Sequence, residues 1–255
     1  MVLHSNILGE GKPFIILHGF LGTSDNWKTM GTEFSLLNFQ THLIDQRNHG
    51  QSFWDNTFNY KVLAEDLKHY CDHYQLDDIV LLGHSMGGKT AMLFATLYPE
   101  MVSKLIVADI SPRFYPEHHQ TILEGLQTID FDKIKSRGEA DKQLQHYIKD
   151  FGTRQFLLKN LYWKQKGELA FRMNLEVLVE NVSEIGKALP EDAKFDKDTL
   201  FLHGDKSDYI QEQDKTLITQ HFPKASVVTI KNAGHWLHAE NPTDFFKAVI
   251  AFLKP

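Results

Sequence analysis

The sequence predicts an α/β protein with a mostly parallel central sheet, on three observations. Short apolar runs such as Phe14-Ile15-Ile16-Leu17 and Ile79-Val80-Leu81-Leu82 are bounded by turn residues. Strands buried on both faces of a parallel sheet have this pattern. Stretches with helical spacing lie between the runs, and such alternation gives parallel sheets with right-handed crossovers. The runs also end in clusters of glycine, histidine or aspartate, where sheets of this class form their sites.

In chain order, Val2 to Leu8 reads as a first short strand, closed by the turn Gly9-Glu10-Gly11-Lys12-Pro13. Phe14 to Leu17 is a buried strand ending in His18-Gly19-Phe20-Leu21-Gly22. Thr41 to Ile44 is the next, ending in Asp45 to Ser52. Tyr60 to Tyr74 is a helix, because Val62, Leu63, Leu67 and Tyr70 share one face. The strand at Ile79 runs into Gly83-His84-Ser85-Met86-Gly87-Gly88, with a helix from Lys89 to Tyr98. Lys104 to Ala108 is a buried strand ending in Asp109-Ile110-Ser111-Pro112.

The alternation stops between Arg113 and about Asp198. Four amphipathic helices are expected there, around Leu123 and Leu126, Leu144 and Ile148, Phe156 to Leu161, and Leu175 to Ile185. Tyr162 to Met173 fits either helix or a short extended excursion around Lys166-Gly167. A mainly helical insertion over the strand ends accounts for this stretch. The α/β pattern resumes with Leu200-Phe201-Leu202 and the turn His203 to Asp208. A helix from Gln211 to His221 and a strand from Val227 to Ile230 follow. The last loop, Asn232 to Trp236, leads to a closing helix from about Pro242, a residue suited to a first helical position.

Composition narrows the function. A chain of 255 residues is one large domain, or one with an insertion. A net charge of −6 argues against a nucleic-acid partner. No apolar run approaches the roughly 20 residues of a membrane span, and the first residues lack the pattern of a signal peptide. The single cysteine, Cys71, cannot form an internal disulfide and reads as a packing residue in a reducing cytoplasm. The adjacent His118-His119 pair lacks metal-ligand spacing and is expected in solvent, so neither a metal nor a cofactor is expected.

The chemistry centres on Ser85. A G-x-S-x-G motif alone arises by chance in on the order of one chain in ten of this size. Between a buried strand and a helix it acquires meaning: a tight turn there strains the serine and holds its hydroxyl clear of the sheet. A serine hydroxyl is a poor nucleophile at neutral pH, so it needs a base, and the base needs a group to orient it. His235, in the loop after the last strand, is the natural base.

With these residues assembled, the chain resembles the α/β-hydrolases over its whole length. His18 to Gly22 resembles their oxyanion loop, Asp45 to Ser52 their D-x-R-x-x-G-x-S segment, Gly83 to Gly88 their nucleophile elbow, and Ala233-Gly234-His235 their histidine loop. Asp109-Ile110-Ser111-Pro112, the Ser207 turn and Gly234 to Glu240 most resemble the small bacterial YbfF-type esterases. The resemblance implies an α/β-hydrolase fold, with residues 1–112 and 199–255 as the core. Residues 113–198 would form a helical cap inserted after strand 6 of the family count. It also implies an oxyanion hole from the backbone N–H groups of Phe20 and Met86. His18, Asp45 and Arg47 are expected to fix loops, and His49 has the reach to touch the rim of the site.

The acid of the triad has two candidates. The usual family position follows the seventh strand, three residues past a glycine, and there the chain has Ser207, with Asp208 next to it. Some members place the acid after the sixth strand, where Asp109 stands. The YbfF-type pattern favours Asp109 with Ser207 in support, Asp208 is the alternative, and Asp205 is expected to cap its turn. The expectation is a cofactor-independent, cytoplasmic serine hydrolase for small-molecule esters or acyl thioesters with an apolar acyl group. The same triad also serves carbon–carbon bond hydrolases and cofactor-free haloperoxidases, and a silent hydrolase-like ligand-binding protein is the alternative from another class.

Overall fold

A computed structural model describes residues 1–254. Seven strands form the main sheet: β1 (Ser5–Leu8), β2 (Lys12–Leu17), β3 (Phe39–Ile44), β4 (Ile79–His84), β5 (Val102–Ala108), and two later strands, β8 (Thr199–Gly204) and β9 (Ala225–Ile230). Between β5 and β8 a separate hairpin supplies β6 (Leu161–Gln165) and β7 (Glu168–Phe171). The strand order is β1-β3-β2-β4-β5-β8-β9. β1 is antiparallel to β3 and the remaining pairs of the main sheet are parallel. Central β4 is buried at every position, which is why its sequence is a continuous apolar run.

Alternate residues of each strand face two helical layers. On one face Ile15, Leu17, Leu81, Leu105 and Val107 pack with α2 (Tyr60–Tyr74), α3 (Met86–Leu97) and α9 (Asp214–His221). On the other, Phe14, Ile16, Val80, Leu82 and Ile106 pack with α1 (Lys28–Ser35) and α11 (Pro242–Leu253), which follows the single turn α10 (Leu237–Glu240). Asn59 caps α2 by accepting from the Val62 amide, and Asn241 caps α11 by accepting from the Asp244 amide.

The 113–198 segment holds α4 (Gln120–Gln127), α5 (Arg137–Leu144), α6 (Phe151–Leu158), α7 (Leu175–Glu180) and α8 (Val182–Ile185), besides the hairpin. Tyr162 to Met173 is therefore extended, turning at Gly167, whose φ of 84° suits glycine. The fourth expected helix is split into α7 and α8 at Asn181, whose side chain bonds back to the Val177 carbonyl. Leu123, Leu126, Leu144, Leu157 and Leu178 share one cluster with Phe20, Leu21 and Met86, so this segment packs directly on the loops at the strand ends. In chain order it follows the fifth strand of the main sheet. The family count made this the sixth; the seven-stranded sheet begins one strand short of that count.

Candidate active site

Ser85 sits between β4 and α3 with φ 53° and ψ −119°, a conformation that costs on the order of 1–3 kcal/mol and persists only where the surroundings enforce it. Its neighbours show why the motif needs glycine. A Cβ on Gly83 would lie 2.1 Å from the Gly87 carbonyl oxygen, and one on Gly87 would lie 2.5 Å from those of Leu17 and His18. The Ser85 amide donates to the Ala108 carbonyl (3.0 Å), which ties the turn to the end of β5.

Asp109 follows β5, is fully buried, and also has a positive φ of 53°. Its Oδ2 accepts from His235 Nδ1 (2.7 Å) and from the Ser207 hydroxyl (2.5 Å), and its Oδ1 accepts from the Gly204 amide (3.2 Å). A carboxylate can only accept, so Nδ1 carries the imidazole proton and Nε2 has the free lone pair. Burial pushes the Asp109 pKa up to about 6, and the Ser207 hydroxyl opposes that shift. Burial also holds the His235 imidazole below its ordinary value, in the neutral form a base needs.

Asp208 is exposed, and its backbone carbonyl, rather than its carboxylate, meets Arg113 (3.5 Å). Asp205 is exposed and accepts from the Ala233 amide (3.3 Å), as a turn cap. Ser85, His235, Phe20, His119, Phe156 and Trp236 are among the walls of one cavity of about 230 Å³. Met86 lines a smaller adjoining pocket with Ser85. Among the described residues, neither the Phe20 nor the Met86 amide finds a loop or cap acceptor.

Side-chain hydrogen bonds tie the supporting loops together. His18 Nδ1 donates to the Gly19 carbonyl (2.8 Å) and its Nε2 accepts from the Gln46 amide (3.0 Å). Asp45 accepts from the amides of Ser24 (2.7 Å) and Gln51 (2.9 Å), and Arg47 grips Asp66 through Nε (2.5 Å) and Nη2 (2.8 Å). His49 is wholly buried behind the loop rather than at the rim; its Nε2 accepts from the Leu21 amide (3.2 Å).

Two residues were not singled out from the sequence, and a third was misplaced. Tyr209 stacks its ring on His235 at 3.9 Å and 17°, and its hydroxyl meets His118 Nε2 at 2.5 Å. His84, the variable position of the serine motif, donates from Nε2 to the His235 carbonyl (2.8 Å) and so ties down the backbone of His235. His119 corrects the expectation of a solvated histidine pair: only His118 is exposed, whereas His119 packs edge-on to Phe20 at 5.1 Å and faces the cavity. The sequence signals for the first two are positional: Tyr209 lies two residues past Ser207, and His84 directly precedes Ser85. Among the described residues no group of three histidine, cysteine, aspartate or glutamate side chains is arranged to hold a metal ion. No helix among them is long and apolar enough to cross a membrane.

An esterase from a marine microorganism is 41% identical with a TM-score of 0.96, over 99% of this chain and 100% of that one. Esterase YbfF of Escherichia coli is 31% identical over 96% of this chain and 94% of its own length. The sn-1-specific diacylglycerol lipase ABHD11 of Danio rerio is 35% identical over 97% of this chain and 80% of its own. The family model described as the alpha/beta hydrolase fold matches residues 12–242. A mostly parallel sheet of this order and matches of this length lead to one conclusion: the chain belongs to the α/β-hydrolase fold family, close to the YbfF-type esterases.

Proposed function

We propose that this protein is an esterase/lipase-type hydrolase that cleaves carboxylic esters, and acyl thioesters of similar shape, through an acyl-enzyme intermediate. The observation that carries the reading is the pairing of His235 Nδ1 with buried Asp109 beside the cavity that exposes Ser85. Ser85 Oγ attacks the acyl carbon while His235 Nε2 takes its proton. Asp109 holds the tautomer and stabilises the imidazolium that forms. The amides of Phe20 and Met86 donate to the oxyanion of the tetrahedral intermediate. Preorganised donors of this kind need no rearrangement as charge develops. His235 then protonates the leaving alcohol or thiol. Water activated by the same imidazole releases the acid and regenerates Ser85.

In this reading residues 113–198 act as a cap. They supply Ile122, Phe156 and Leu157 to the cavity wall, which suits an apolar acyl chain. Two similar proteins bear esterase names and another is named a diacylglycerol lipase, which puts simple esters and acylglycerols first among substrates to try. The test is turnover of p-nitrophenyl esters, acyl thioesters and diacylglycerols of graded chain length by the wild type and Ser85→Ala. The expected result is hydrolysis by the wild type and loss of at least about a thousandfold in the variant. Folded wild-type protein that hydrolyses none of the panel would instead support the ligand-binding reading.

A further inference from the structure

Lys89 takes no part in the chemistry above, yet it is among the most deeply buried side chains, at 1% exposure. It lies in α3, one helical turn beyond Ser85. An ammonium has three donors and no acceptor. Three carbonyl oxygens meet it: those of Pro112 (3.1 Å), Arg113 (2.5 Å) and Lys187 (2.8 Å). The first two stand where the chain leaves β5 for the 113–198 segment, and the third stands where it returns. The two ends also bind each other, since the Tyr115 amide donates to Gly186 and the Leu189 amide donates to Pro112, both at 2.8 Å. They run so close that a Cβ on Gly186 would lie 2.0 Å from the Tyr115 carbonyl oxygen.

A buried charge costs several kcal/mol unless its donors are satisfied, and an apolar side chain of similar length would fill the space without that cost. The ammonium provides what an apolar side chain cannot: it gathers carbonyls from both ends of one segment. Burial lowers the Lys89 pKa to about 7 and the Arg113 charge adds to that; Asp214, itself bound to Arg113 (3.1 Å), opposes it. Three carbonyl acceptors, with no donor facing Nζ among the described residues, match the protonated form. His118, His119 and Ile122 enter the cavity wall shortly after this root, so the root sets where they stand.

We propose that Lys89 is a positioning residue, a latch that joins both ends of the 113–198 segment to the nucleophile helix and holds the cap in register over Ser85. The inference rests on the reading of that segment as a cap over an ester site. The test compares Lys89→Met, which keeps the length and removes the charge, with Lys187→Met, which keeps the backbone carbonyl that the latch uses. In Lys89→Met the amides of Tyr115 and Leu189 should exchange hydrogen at least about tenfold faster, with the Asp109 amide unchanged. KM for a long-chain p-nitrophenyl ester should rise about tenfold, while kcat/KM for the acetate stays within about threefold. Lys187→Met should match the wild type throughout.

Unchanged exchange at Tyr115 and Leu189 would overturn the latch, as would equal losses on acetate and long-chain esters. If the wild type proves to hydrolyse no ester, the functional reading fails but the exchange measurement still decides the latch. Should Lys89→Met not fold, Lys89→Gln, which retains two donors, is read by the same exchange criterion.

Discussion

Replacing Ser207 by alanine should move the acid limb of the pH–rate profile upward. The Ser207 hydroxyl donates to the same carboxylate oxygen that receives His235 Nδ1, at 2.5 Å and 2.7 Å respectively. A hydrogen bond to a charged group contributes about 1.5–3 kcal/mol, and about 1.4 kcal/mol corresponds to one pH unit. Ser207 is half-buried, so water can partly replace the hydroxyl. The lower end of the range applies, and the expected movement is about one unit. Removing the donor leaves the carboxylate a stronger base and a stronger attractor of the imidazolium, so the dyad binds its first proton more readily whichever group holds it. The assay is kcat/KM for p-nitrophenyl acetate against pH, which reports the free enzyme. The alkaline plateau should fall by less than about tenfold, because Gly204 and His235 still hold Asp109. A limb that stays in place or moves downward would refute the assignment of Ser207 as a support of the carboxylate.

Other perturbations separate the remaining roles. Asp109→Asn should lower kcat by about 10³–10⁴ by favouring the wrong imidazole tautomer, whereas Asp208→Asn, at an exposed carboxylate, should stay within about twofold; the reverse order would reassign the acid. Gly87→Ala drives a Cβ to 2.5 Å from two carbonyl oxygens and should cost activity and about 3 kcal/mol of stability in a denaturant titration. Gly138→Ala in α5 meets nothing within 4 Å and should stabilise by about 0.5–1 kcal/mol in the same titration. Burial lowers the pKa of His18 to about 4 and of His49 to about 3, against 6.5 for the free residue. A base depressed in the folded state contributes stability that is complete above pH 6.5 and is lost as the pH falls toward the folded value. For His18 alone this is about 3 kcal/mol, so Tm should drop steeply between those pH values with proton uptake on unfolding, and a flat Tm would contradict it.

The central strands were legible because they are buried on both faces, and a continuous apolar run is the direct consequence at Phe14 to Leu17 and Ile79 to Leu82. The placement of Ser85 on a strained turn after β4 and of His235 on the loop after β9 was legible because both positions carry local signatures. The 113–198 segment was harder to read. Tyr162 to Met173 fitted either helix or extended chain, and the excursion at Gly167 is a hairpin because a positive φ there reverses the chain. The break at Asn181, whose side chain bonds to the Val177 carbonyl, is a local feature that periodicity does not register.

The sequence by itself therefore determined the class of sheet and marked Ser85 and His235 as the residues to examine, since each follows from local sterics and hydrophobic patterning. Only the tertiary structure decided what surrounds them. β5 lies beside β8, and that brings Asp109 to both Ser207 and His235 while Asp208 stays in solvent. The same folding stacks Tyr209 on the imidazole, turns His119 into the cavity and closes Lys89 around three distant carbonyls. These contacts join residues far apart in the chain. Their geometry is set by strand order and helix packing, which no local pattern of residues encodes.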